Sequence, residues 1–98
     1  MQISTHVSGD HALIRQLLSG HCTQFLLRAN AEHPSIMVRC LVASRREASR
    51  HLLARMASDE DASVRACVAA NLNTPPRILR QLENDPDRWV RAGALHMA

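Results

Sequence analysis

Apolar residues in this chain fall in short stripes at helical spacing, and polar turn residues separate the stripes. In SVRACVAAN, Val64, Cys67 and Val68 lie at i, i+3 and i+4, which gathers them on one face of a helix. Asp61 or Ser63 can accept hydrogen bonds from the free N–H groups of its first turn, and Asn71 is a suitable stop. TPPRILRQLEN predicts a second helix, with Thr74 as N-cap, Pro75 and Pro76 in first-turn positions that need no donor, and a stripe of Ile78, Leu79 and Leu82. Asn84-Asp85-Pro86-Asp87 then turns the chain, and Asp87 is placed to cap a further helix before Trp89 and Val90. Near the start, HALIRQLLSG predicts an amphipathic helix ending at Gly20.

These stripes repeat. Val38-Arg39, Val64-Arg65 and Val90-Arg91 recur at a spacing of 26 residues, and the same register carries Val42 onto Val68 and Ala94, and Ala43 onto Ala69. Asp59 and Asp61 fall on Asp85 and Asp87, Leu52-Leu53 on Ile78-Leu79, Met56 on Leu82, and Leu26-Leu27 on Leu52-Leu53. A two-helix unit of this length cannot cover its own apolar stripe and must stack on a neighbour. The expected fold is therefore all-α, a right-handed α-solenoid of about three to four two-helix repeats. Residues 1–30 read as a degenerate capping repeat, followed by repeats at 31–57, 58–84 and 85–98 of a single domain. Ala43, Ala69, Ala70, Ala92 and Gly93 suit close helix approach between units. Gly93 is the costly member, at about 1 kcal/mol relative to alanine within a helix.

The stretch SDEDASVRACVAANLNTPPRILRQLENDPDRWVRAGAL resembles the variant leucine-rich repeat (LRV) family, through Asp85-Pro86, Val90-Arg91, Asn71, Thr74-Pro75-Pro76, Leu79 and Leu82. The resemblance covers about residue 31 to the end well and the first thirty loosely. It implies alternating α- and 3₁₀-helices wound into a right-handed superhelix, close in shape to HEAT and armadillo arrays. The middle unit departs from it: ASRREASRHLLARM stands where the family has Asn-x-x-Thr-Pro-Pro, so an ordinary α-helix is expected there. Some members carry an N-terminal cysteine cluster for an iron–sulfur centre. Cys22, Cys40 and Cys67 cannot supply four thiolates, and no cofactor is expected.

Composition narrows the function classes. At 98 residues, 46% hydrophobic and 21% charged, the chain is ordinary globular sequence rather than a disordered tail. It has no apolar run near the roughly 18 residues of a membrane span, and its N-terminus lacks the core of a signal peptide. Odd and widely spaced cysteines argue against a disulfide scaffold and favour free thiols in a cytoplasm. All 12 basic residues are arginine, a usage that points to a GC-rich bacterial genome more than to a ligand. The net charge of +3 is too small to mark a nucleic-acid binder by itself.

Two sets of arginines are the candidate functional groups. Arg39, Arg65 and Arg91 recur at one repeat step, about 10 Å apart as packed helices are, and could follow a phosphate backbone. Alternatively they form a structural ladder with Asp59, Asp61, Asp85 and Asp87, which repeat in the same register. A second set (Arg45, Arg46, Arg50, Arg55, Arg77, Arg80) avoids the apolar stripes and reads as a solvated face or a basic binding face. From it Arg46, Arg50, Arg77 and Arg80, with Trp89 as an aromatic anchor, make the candidate partner-binding residues. Ala94, Leu95 and Met97 belong to a helix with no following unit to cover it, which allows self-association there.

Catalytic and metal motifs are not found. There is no GxSxG, no phosphate-cradling glycine loop, and the histidines (His6, His11, His21, His33, His51, His96) lack ligand-like pairing with the cysteines. Cys40 sits one place out of register with Cys67, and equivalent helices a full layer apart hold Cα atoms farther than a disulfide spans, so free thiols are expected. The expected function is non-enzymatic: a protein-binding scaffold for an acidic or mixed surface, with nucleic-acid binding through the arginine ladder as the alternative.

Overall fold

The computed structural model describes residues 11–97; His6 and the start of the expected capping repeat lie outside this range. The described residues form seven helices and no strand. They are α1 (11–18), α2 (Gln24–Asn30), α3 (Ile36–Ser44), α4 (Arg50–Met56), α5 (Ala62–Ala70), α6 (Pro76–Leu82) and α7 (Arg88–Met97). From α2 onward each is only 7 to 10 residues long, too short to persist alone in water, so capping and packing must hold them.

The caps follow the repeat. Thr23 and Ser49 accept from Leu26 N–H and Leu52 N–H at the starts of α2 and α4. Ser35 and Asp61 do the same for α3 and α5, and Asp87 Oδ1 accepts from Trp89 and Val90 N–H at the start of α7. Thr74 corrects the sequence reading. Pro75 occupies the N-cap of α6, and the buried Thr74 hydroxyl instead donates 2.6 Å to the Val68 carbonyl. The 3₁₀ segments implied by the family resemblance are replaced as well: α2, α4 and α6 are all α-helical, even where Pro75-Pro76 is present. The prolines occupy positions whose N–H has no intrahelical partner, so they set the start of the helix without tightening it.

Helices α3, α5 and α7 pack side by side in one row, and α2, α4 and α6 lie against that row. Val38, Val64 and Val90 are fully buried at matching positions, as are Val42, Val68 and Ala94 one turn later. From the other row come Leu27 and Leu53, Leu52 and Ile78, and Met56 and Leu82. Small residues set the spacing of the first row: a Cβ on Gly93 would lie 3.4 Å from the Ala69 Cβ, so α7 meets α5 through this pair.

Polar side chains tie consecutive units together beyond the ends of α3 and α5. Arg45 donates to the Gly20 carbonyl, and 26 residues on Asn71 Nδ2 donates to the carbonyls of Ala43 and Arg45, both at 2.9 Å. Asn71 Oδ1 accepts from Asn73 N–H at 2.8 Å, so this buried amide uses both ends. Asn71→Ala would strand two carbonyls, one of them in the core, and should destabilise the fold by about 1–3 kcal/mol. Urea unfolding measures this directly, and a loss below about 0.5 kcal/mol, the scatter of ordinary surface changes, would contradict the bridging role.

Candidate functional site

The arginines of the first row are committed to structure at two of three positions. Arg39 directs Nε and Nη2 at Asp59 (3.0 and 3.3 Å) and Nη1 at the carbonyls of His33 and Pro34. Arg65 repeats this 26 residues later, with Nε and Nη2 on Asp85 (2.8 and 3.1 Å) and Nη1 on the Asp59 carbonyl. Each arginine therefore ties its own entry turn to the acid 20 residues ahead, at the head of the next unit. The acid is pre-oriented by its own turn: Asp59 Oδ1 accepts from Asp61 N–H and Asp85 Oδ1 from Asp87 N–H. In the first unit the same turn is closed by His33 Nδ1, which accepts from Ser35 N–H at 3.0 Å. The donors that a phosphate would need on Arg39 and Arg65 are occupied by carboxylates.

Charge balance within the ladder is tight. Burial of Asp85 favours its neutral form, yet the hydrogen bond from Arg65, the Asp87 N–H and the charges of Arg65 and Arg91 outweigh it. The carboxyl is held below the usual aspartate range. The hydrogen bond to Asp59 likewise raises the Arg39 guanidinium above its ordinary value, and Asp85 does the same for Arg65.

The second set has the opposite character. Arg50 on α4 and Arg77 and Arg80 on α6 are exposed, and none makes an ion pair with a described residue. Arg28 on α2 belongs with them, and the sequence reading passed over it. Its signal was available in the register, since residue 28 is equivalent to 54 and 80. Arg55 is partly neutralised by Glu32 at 2.7 Å. Between α2 and α4, Gln24, Arg28, Ser49, His51, Leu52 and Arg55 line an open groove of about 470 Å³.

The remaining candidates stand elsewhere. Arg46 is exposed in the turn after α3, at the junction of two shallow depressions flanked by Leu18 and Leu72. Leu72, 87% exposed, was also missed; it takes the place held by Arg46 and Gly20 in the preceding units. Trp89 is 69% exposed on α7, with the Arg88 guanidinium 5.2 Å from its ring centroid. Its equivalents Met37 and Ser63 are exposed too, so its exposure comes from its place in the repeat and it does not shield the last unit. Trp89 and the α4/α6 arginines thus stand on different rows of helices.

Arg45 pairs with Glu47, and this hydrogen bond, with the backbone donors of Glu47 and Cys22, holds the Glu47 carboxyl below its ordinary value against the effect of burial. Among the described residues no three His, Cys, Asp or Glu side chains gather as metal ligands, and no helix is long and apolar enough to cross a membrane.

Cys22, Cys40 and Cys67 are free, as the sequence leads one to expect. Cys40 on α3 lies within electrostatic reach of Cys67 on α5. Burial first, and then the charge and hydrogen bond of Cys67, push the Cys40 thiol up to about 11. At pH 8 its thiolate fraction should be about 100-fold below that of an ordinary thiol, and iodoacetamide should label it correspondingly slowly. Labelling Cys40 in the folded protein as fast as in urea would contradict this placement.

Comparison of the chain with protein-family models, with curated proteins and with solved structures finds no match.

Proposed function

We propose that this chain is a non-catalytic protein-binding scaffold, a right-handed solenoid of LRV type, acting in the cytoplasm. The face formed by α2, α4 and α6 would receive an acidic segment of a partner protein. The observation that carries this reading is the division of labour among the arginines. Arg39 and Arg65 are spent on internal carboxylates, whereas Arg28, Arg50, Arg77 and Arg80 are exposed without a carboxylate among the described residues. Chains of exposed like charge repel one another and are relieved by an acidic partner, which also speeds encounter. Chain-wide aromatic scarcity weighs against single-stranded nucleic acid, which relies on stacking platforms.

The test is a titration of fluorescent poly-glutamate and of duplex DNA against the protein and against the combined variant Arg50→Glu, Arg77→Glu, Arg80→Glu. The account expects poly-glutamate to bind and the variant to lose about tenfold or more in affinity, with unchanged thermal stability. Binding of DNA in preference to poly-glutamate, with steep salt dependence, would overturn it in favour of a phosphate-binding module.

A further inference from the structure

The helices of the second row pack on the first row, and between α2 and α4 an open cleft of about 470 Å³ remains. Both of its walls belong to this chain. Gln24 and Arg28 come from α2, and Ser49, His51, Leu52 and Arg55 from α4 and its cap. A further helix at either end of the row would stack outside α2 or α6 and leave the cleft open. Its neutral polar groups are already used: the Gln24 amide donates to the Glu47 carbonyl, and the Ser49 hydroxyl accepts from Leu52 N–H. Its basic side chains are not. Arg28 and His51 are exposed and meet no acid among the described residues. Arg28 and Arg55 stand in the last turns of their helices, which puts both guanidinium groups at one end of the cleft. One unit on, their places are taken by Ala54 and Gln81, so the pair is not a consequence of the repeat.

Glu32, in the turn after α2, reaches this basic end, where Arg55 Nη2 donates to its Oε2 at 2.7 Å. The two side chains are 57% and 84% exposed, so the pair contributes little to the fold and yields readily to a competing carboxylate. We propose that the α2/α4 cleft takes an extended acidic segment of a partner protein, whose carboxylate displaces Glu32 from Arg55 and lies between Arg55 and Arg28. Spacing defines the segment further. Leu52 precedes Arg55 by three residues, about 4.5 Å of helix rise, and the long arginine side chain extends the reach. Residues two apart in an extended chain share a side and stand about 6.6 Å from each other. An apolar residue two places from the acid therefore rests on Leu52 and the arginine stems while the acid meets both guanidinium groups. The cleft is part of the acid-receiving second row, and its assignment rests on that reading.

The probes are two peptides of equal composition. In Ser-Leu-Ser-Glu-Ser-Leu-Ser-Glu-Ser the leucines and glutamates share one side of an extended chain, and in Ser-Leu-Glu-Ser-Ser-Leu-Glu-Ser-Ser they oppose each other. Each is titrated to millimolar concentration into the full chain, and the side-chain Nε–H resonances of Arg28 and Arg55 are followed by NMR. The in-phase peptide should shift both resonances saturably, and the out-of-phase peptide should bind about fivefold more weakly or worse. Glu32→Gln should tighten binding of the in-phase peptide about threefold, the worth of an exposed ion pair. Glu83→Gln, the same change of charge at the C-cap of α6, should tighten it less than about 1.5-fold. No saturable shift at Arg28 and Arg55, equal binding of the two peptides, or no gain from Glu32→Gln beyond that of Glu83→Gln would each overturn the cleft assignment. Any of these with poly-glutamate still bound, and still weakened by the triple glutamate variant, would leave the wider acid-receiving face standing. Failure of poly-glutamate itself to bind would overturn both.

Discussion

Asp85→Ala is expected to destabilise the protein by about 3–5 kcal/mol, because it leaves the half-buried Arg65 guanidinium without its counter-charge. The carboxylate side chain is 6% exposed and accepts from both Arg65 and the Asp87 N–H, so solvent cannot replace what is lost. For a chain of this size that corresponds to a fall in Tm of roughly 15–30 °C. It is a large share of the 5–15 kcal/mol typical of a single domain. The same pair sets an acid limit. Because the folded carboxyl titrates below its ordinary value, its contribution is complete above the unfolded pKa of about 3.9 and is lost as pH falls through the folded value. Wild type and Asp85→Asn should therefore differ in stability at pH 6 and converge in strong acid. A difference that widens as pH falls would contradict the assignment.

Leu53→Ala is the second large effect, about 2–5 kcal/mol from lost burial and the cavity left behind. Leu53 is 0% exposed and sits where α4 meets the first row of helices. Its register equivalent Leu79 on α6 is only half-buried. Leu79→Ala should consequently cost clearly less, and calorimetry of the two variants gives the comparison. Equal losses would mean that the two units do not bury their stripes as described.

Much of this was legible in the sequence because the 26-residue register acts on the easiest property to read, apolar spacing. Val38, Val64 and Val90, the caps at Asp61 and Asp87, and the pairing of the ladder arginines with aspartates all follow from it. Thr74 misled because two prolines behind a threonine mimic a capped start, while the buried Val68 carbonyl competed for the hydroxyl and won. Leu72 and Arg28 escaped notice since a loop leucine and an arginine in the loosely repeating first segment carry weight only once aligned to the other units. Trp89 and the arginines of α4 and α6 were joined into one surface by reading order along the chain, which carries no information about which row a helix joins.

The most direct test of the repeated stacking is a set of double-mutant cycles on the arginine–aspartate ladder. Coupling of about 1–3 kcal/mol is predicted for Arg39 with Asp59 and again for Arg65 with Asp85, while the crossed pair Arg39 with Asp85 should be additive within about 0.5 kcal/mol. Coupling missing from either 20-residue pair, or as large in the crossed pair, would contradict the account.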